Sequence, residues 1–202
     1  MNDKGKLIVI SGPSGAGKST VISRVMGENP NISFSISATT RSPRNGEKDG
    51  VEYLFIDKPS FEGMIERDEL LEFARYVENY YGTPKAPVYE SIEHGKDVLF
   101  DIEVQGAMQI KQKCPEAILI FLIPSRFEDI EKRLRSRGSD GEDKIRQRVE
   151  AAKNEYLIAP NYDYLVLNDD PEIAAGEIKS ILTAEKCRMS ERKKYLTEVC
   201  LL

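Results

Sequence analysis

The sequence predicts an α/β fold, a parallel sheet flanked by helices and carrying an inserted lobe, on three observations. Short apolar runs recur along the chain, amphipathic stretches separate them, and the rhythm breaks over about residues 38–96 and again near 137–150. Strands buried on both faces read as continuous apolar runs rather than as alternation, which is how a parallel sheet covered on both sides looks in sequence.

The runs are Leu7 to Ile10, Ser33 to Ser37, Val98 to Phe100, Ala117 to Ile123 and Tyr164 to Leu167. Within the first break, the aromatic stretches Tyr53 to Ile56 and Leu71 to Val77 read as short strands of the inserted lobe. Ser125 with Glu128 has the spacing of a capping box, and Phe127, Ile130 and Leu134 supply one apolar face, so a helix is expected over about 126–137. Ser139 with Glu142 repeats the pattern ahead of Ile145, Val149 and Ala152, predicting a second helix over about 142–157 with Gly138 and Gly141 in the joint. The segment from Pro171 to about Leu196 reads as one helix, and the tail 186–202 is expected to pack or to fray. The expected organisation is one domain: a core of about 1–37 and 97–185, a lobe at 38–96 and a tail at 186–202.

Composition removes several classes of function. The 202 residues carry 29 Lys+Arg against 34 Asp+Glu, a formal charge of -5, which offers nucleic acid or an anionic membrane no general attraction. A single histidine, His94, and three scattered cysteines, Cys114, Cys187 and Cys200, leave no His/Cys zinc site and make a Ser-His-Asp triad improbable. The odd cysteine count fits a reducing compartment. No signal-peptide core follows the N-terminus, and no stretch approaches the roughly 18 to 20 apolar residues of a membrane span, so a cytoplasmic location is expected.

The strongest local signal is Gly12-Pro13-Ser14-Gly15-Ala16-Gly17-Lys18-Ser19, which fits G-x-x-x-x-G-K-[ST] at every fixed position. A buried strand precedes it and a helix follows, the context in which a glycine-rich loop turns its N–H groups on phosphate oxygens. Lys18 would reach the outer phosphates, and Ser19 would offer its hydroxyl to Mg²⁺. The fold class sharpens accordingly to a P-loop NTPase-type sheet. Val98 to Asp101 is an apolar strand ending in a carboxylate, as the metal side of a P-loop requires.

P-loops serve switches, motors and small-molecule kinases, so the cradle implies a nucleoside triphosphate but no activity. Asp101 is followed by Ile102-Glu103-Val104 rather than by the D-x-x-G of a GTPase, and N-K-x-D occurs nowhere. The lobe instead carries Arg41 and Arg44 around Pro43, a compact anion site, since guanidinium forks match phosphate oxygens. Tyr53, Glu72 and the run Asn79-Tyr80-Tyr81-Gly82-Thr83 add phenols, a carboxylate and a hydroxyl.

In this order the motifs resemble the guanylate kinase family over about residues 5–185. The match includes Ser37 to Glu47, Asn79 to Thr83, Leu99 to Gly106, Lys132-Arg133-Leu134 with Arg137-Gly138, Arg148 with Ala152, and Asn168-Asp169-Asp170. The resemblance implies transfer of the ATP γ-phosphoryl group to GMP, and to dGMP as well, with Mg²⁺ as cofactor and with neither nucleic acid nor membrane as partner. It implies that Ser37, Arg41, Arg44, Tyr53 and Tyr81 hold the GMP phosphate, and that Glu72 and Thr83 read the guanine, with Asp101 nearby. An ionised carboxylate only accepts hydrogen bonds, which suits the N1–H and 2-amino donors of guanine and not the bare N1 of adenine. ATP would lie on Gly12 through Thr20 (Gly12, Pro13, Ser14, Gly15, Ala16, Gly17, Lys18, Ser19, Thr20), with Arg133, Asn168 and Asp169. A lid at about 137–150 would bring Arg137 and Arg148 over the phosphates, so that Lys18, Arg44, Arg137 and Arg148 form the catalytic set and Ser19 and Asp101 hold the metal. Lys132 and Arg135 read as a solvated helix face. The sequence departs from the family at Ala38, where Ser is common, and at Glu103, where a second Asp is frequent. Two alternatives stay open: a kinase for another phosphorylated acceptor, and an inactive guanylate-kinase-like interaction module. A monomer and a homo-oligomer remain equally compatible with the sequence.

Overall fold

The computed structural model describes residues 4–76, 78–136, 138 and 140–200. The chain enters through β1 (Leu7–Ser11), buried at all five positions, and turns into α1 (Lys18–Gly27). β2 (Ile32–Phe34) returns to the sheet's edge. The lobe follows with β3 (Ala38–Thr39), β4 (Leu54–Phe55), α2 (Lys58–Glu66), β5 (Leu70–Tyr76), β6 (Asn79–Pro84) and α3 (Lys85–Glu93). The core resumes with β7 (Asp97–Asp101), α4 (Val104–Lys113), β8 (Ile118–Ile123), α5 (Glu128–Ser136), α6 (Glu142–Ile158) and β9 (Tyr164–Leu167), and the chain closes with α7 (Pro171–Lys186) and α8 (Met189–Cys200).

The core sheet is wholly parallel, in the order β2-β7-β1-β8-β9, so β1 lies at its centre with the P-loop leaving its carboxyl end. Side chains alternate between two buried faces, as the twofold period of a strand requires. Ile8 and Ile10 pack with Ile120, Leu122 and Val166 under α1 and α7, through Val21, Val25, Ala175 and Ile178. Leu7 and Val9 pack with Val98, Phe100 and Leu119 on the opposite face, under Val88 of α3 and Ala107 and Ile110 of α4. This two-sided burial is the physical source of the unbroken apolar runs.

A second sheet, β4-β3-β6-β5, forms the lobe over its own cluster of Ala38, Phe61 and Leu70. Helix α4 joins lobe to core: Lys113 Nζ donates to Leu70 O at 2.9 Å, and the Gln109 side chain bonds both main-chain groups of Phe73. Among the described residues, no helix is long and apolar enough to cross a membrane.

Four features depart from the sequence reading. The expected strand Ser33 to Ser37 stops at Phe34, because after Ser35 N donates to Leu99 O the chain leaves the core, and Ser37 O accepts from Leu54 N in the lobe. Helix α5 opens at Glu128 rather than 126; the Ser125 amide is tied to Asp169 Oδ1 at 2.9 Å, and residues 126–130 enter the helix through successive turns. The expected second capping box falls partly on Ser139, which lies outside the described residues, and α6 starts from Gly141 with no side-chain cap. The single helix expected from Pro171 breaks at Cys187–Arg188 into α7 and α8. Contacts distant in sequence draw the tail over the amino-terminal edge of the sheet: Lys186 pairs with Asp97 at 2.5 Å and Glu191 with Lys6 at 2.6 Å.

Candidate active site

The loop after β1 owes its path to glycine. Gly17, the residue before α1, has φ +87, and a Cβ there would stand 2.5 Å from Asn168 Nδ2. At Gly12 (φ +153) a Cβ would meet Leu122 O at 2.1 Å, so β8 can approach the loop only because that atom is missing. With Lys18 as the first helical residue, the unpaired N–H groups of the α1 first turn face the loop, a ready-made anion site.

Several long-range bonds hold the loop in shape. Asn168 Nδ2 donates to Ala16 O at 2.6 Å, and Arg133 bridges Ala16 O (3.2 Å) to Asn168 O (2.8 Å). Arg148 NH1 donates to Ser14 Oγ at 3.0 Å and lies 3.3 Å from an Asp140 carboxylate oxygen. Lys18 Nζ reaches back to Gly12 O at 2.6 Å. Ser19 and Thr20 are exposed at the start of α1, and Asp169 accepts from Ser125 N. Arg137 lies outside the described residues.

Asp101 stands opposite Ile10 in the β1–β7 register, which sets its carboxylate beside the loop. Desolvation in the cleft raises its pKa above the usual carboxylate value, and the Lys18 charge opposes that rise. Glu155 of α6 behaves alike: burial raises its pKa, Lys18 lowers it and Glu103 raises it. Sequence reasoning did not single out Glu155, whose only signal is its place two helical turns beyond Arg148.

Asp101 also borders a cavity of about 250 Å³ together with Ser37, Glu72, Tyr81, Glu103 and Gly106. Glu72 on β5 is only 5% exposed, and its Oε1 accepts from Thr83 Oγ1 at 2.7 Å. Burial raises the Glu72 pKa and the Thr83 bond counteracts it. Thr83 is fully buried, so it acts on the cavity through Glu72. Beside this cavity, Arg41 donates to Glu47 through both nitrogens and lies over the Tyr53 ring at 5.0 Å; Tyr53 in turn meets Tyr81 edge-on, with ring centroids 6.0 Å apart. Arg44 is exposed, and its N–H donates to Glu47 Oε2 at 2.7 Å. The sequence reading quoted Glu47 as part of a motif and missed its task, which is to aim Arg41.

Among the described residues, the donors that the cleft offers a metal are oxygens, those of Ser19 and Asp101, with Glu103 beyond. Mg²⁺ keeps several waters and takes one or two carboxylates plus substrate phosphates, so these residues fit a cation that arrives with a nucleotide. A larger cavity, about 860 Å³, lies at the opposite edge of the sheet beneath α8, lined by Lys6, Asp97, Lys186 and Glu191, whose charges pair with one another. Open parallel sheets bind ligands at the carboxyl ends of their strands, which favours the smaller one.

A phosphate cradle at the carboxyl edge of a parallel sheet, joined through one carboxylate to a second cavity in an inserted lobe, defines the class of P-loop phosphotransferases. The guanylate kinase family model matches residues 4–185. The chain is 47% identical over 195 residues to a guanylate kinase of Clostridioides difficile, covering 96% of this chain and 95% of that one. It is 49% identical over 185 residues to a guanylate kinase of Carboxydothermus hydrogenoformans, with 92% and 91% covered. The crystal structure of guanylate kinase from Anaplasma phagocytophilum superposes with a TM-score of 0.76 at 28% identity, over 97% of this chain and 95% of that one. The chain belongs to the guanylate kinase family.

Proposed function

We propose that the protein transfers the γ-phosphoryl group of ATP to GMP, giving ADP and GDP. The observation that carries this reading is the pairing of Glu72 with the P-loop across Asp101: a buried carboxylate suited to guanine donors borders the cavity that opens beside the phosphate cradle. In this reading ATP lies along Gly12 to Thr20 with Lys18 at its outer phosphates. The GMP phosphate lies against Arg41, Arg44, Ser37, Tyr53 and Tyr81, and Glu72, held by Thr83, accepts from the base.

Phosphoryl transfer of this kind needs positioning and charge stabilisation rather than a covalent intermediate. Lys18, Arg44 and Arg148, with Arg137, carry the positive charge that the spreading negative charge of the transition state requires. Mg²⁺, held by Ser19 and Asp101, would supply further charge neutralisation at the phosphates. Residues 38–96 act as the GMP lobe and about 137–150 as a lid over a core of 1–37 and 97–185, closing to exclude water. The reading assigns the enzyme to the cytoplasm.

An intact Lys18 and Ser19 weigh against an inactive interaction module, since a binding domain has no use for a phosphate cradle. The test is to incubate the protein with ATP, Mg²⁺ and each nucleoside monophosphate in turn while following ADP. The expected result is release with GMP far above that with AMP, CMP or UMP; equal release with all four would overturn the assignment.

A further inference from the structure

We propose that Gly106 is a specificity-determining position for the acceptor base: the absence of a side chain there leaves the notch into which the Glu72 carboxylate fits. The inference rests on the reading of Glu72 as the group that contacts guanine.

Gly106 is buried in the first turn of α4 and borders the same cavity as Glu72. A Cβ built on it would stand 2.7 Å from Glu72 Oε2 and 3.2 Å from its carboxyl carbon, with Ile102 Cδ1 at 3.3 Å. The glycine has no positive φ, so its conformation does not account for its presence; the space does. Glycine is a poorer helix former than alanine, by up to about 1 kcal/mol in a helix interior, so the choice brings α4 itself no gain.

A flexible side chain would normally swing away from such a contact, and here the swing is the functional consequence. The rest of the seam is fixed. Gly106, Gln109 and Lys113 lie at helical spacing on one face of α4, and the other two grip β5 directly. Gln109 Oε1 accepts from Phe73 N at 3.1 Å, Gln109 Nε2 donates to Phe73 O at 2.9 Å, and Lys113 Nζ donates to Leu70 O at 2.9 Å. Helix and strand are therefore held on both sides of Glu72, and its carboxylate is the part free to yield. Moving it pulls Oε1 from Thr83 and shifts the acceptor that a base bearing both N1–H and a 2-amino group needs.

The experiment is a double-mutant cycle of Gly106→Ala with Glu72→Asp, with Glu72→Gln measured alongside. Gly106→Ala is expected to stay folded with a cooperative melt while the KM for GMP rises by about 10- to 100-fold, the size of a lost charge-assisted hydrogen bond. The KM for ATP should not move, and preference for GMP over a purine monophosphate lacking the 2-amino group should narrow. Because aspartate is one methylene shorter, Gly106→Ala should cost far less in the Glu72→Asp background, a non-additivity that a merely structural role does not produce. A parental KM for GMP in Gly106→Ala, with Glu72→Gln impaired, overturns the inference and leaves the reading of Glu72 standing; an unimpaired Glu72→Gln overturns that reading itself. Should Gly106→Ala fail to fold, recovery in the double variant supports the notch, and a double variant equally unfolded overturns it.

Discussion

Both carboxylate oxygens of Glu47 accept from the guanidinium of Arg41, at 2.6 and 2.7 Å, and the same Glu47 takes the main-chain N–H of Arg44. One acid therefore organises both arginines that the sequence assigns to the acceptor phosphate. A bidentate fork fixes the plane of Arg41 against Tyr53 and Phe55, removing rotamer freedom that binding would otherwise have to remove.

Glu47→Gln is therefore expected to raise the KM for GMP by about three- to tenfold, the scale of about 1 kcal/mol of lost preorganisation, with the KM for ATP unchanged. Steady-state kinetics with each substrate varied in turn check it; an unchanged GMP constant would show that Arg41 is aimed by its aromatic neighbours alone.

The acid behaviour of the site separates Glu47 from Glu72. The Arg41 guanidinium lowers the Glu47 pKa from 4.5 to about 2, so the pair's contribution to stability is fully present above the unfolded value and is lost progressively as pH falls from there through about 2. Burial raises the Glu72 pKa instead, so the folded chain binds that proton more tightly than the unfolded one, and its contribution to stability declines as pH rises through the raised value. As pH falls, Glu72 thus protonates before Glu47, and one of its two acceptors for the guanine N1–H and 2-amino donors becomes a donor itself, while the Arg41–Glu47 pair is still charged. The KM for GMP should rise with acidification, and Glu72→Gln should flatten that rise. A profile of the same steepness in the variant would move the titration elsewhere.

Lys18 Nζ donates to Gly12 O at 2.6 Å, a bond whose loss costs about 0.5–1.5 kcal/mol, small against a domain's stability. Its positive charge inside the cradle is harder to replace. Lys18→Ala is expected to lower kcat by about 100- to 1,000-fold, the scale of removing one preorganised donor, while the far-ultraviolet circular dichroism and the melting temperature stay near those of the parent. Undiminished turnover would take Lys18 out of the chemistry.

The strands and the cradle were legible because their signals are local. Leu7 to Ile10 and Ile118 to Ile123 are apolar at every position because both faces of the sheet are covered, and the glycines of the loop are dictated by close approaches such as Leu122 O to Gly12. What escaped depends on partners remote in sequence. Gln109 lies 36 positions from Phe73, whose main chain it grips, and Arg133 lies 35 from Asn168. The break at Cys187–Arg188 has no glycine or proline to announce it; it answers to Asp97 and Lys6 at the far end of the sheet. Arg133, which the resemblance sets over the ATP phosphates, also staples the loop: it donates to the main-chain carbonyls of Ala16 and Asn168, neither of them near it in sequence.

Asn168 gives the sharpest test of that staple. It is 2% exposed, and Nδ2 donates to Ala16 O at 2.6 Å while Oδ1 is buried with no hydrogen-bond partner among the described residues. Asn168→Ala leaves Ala16 O with Arg133 as its remaining donor and is expected to cost about 1–3 kcal/mol, with a raised KM for ATP. Asn168→Asp keeps the shape but turns the donor into an acceptor, setting a carboxylate oxygen against a carbonyl oxygen in a buried place. The isosteric change should therefore be the worse of the two in thermal denaturation at neutral pH, and it should recover part of the loss on acidification, when the new carboxyl regains a proton to donate. If Asn168→Asp matches or exceeds Asn168→Ala in stability at neutral pH, the hydrogen bond to Ala16 is not what holds the loop.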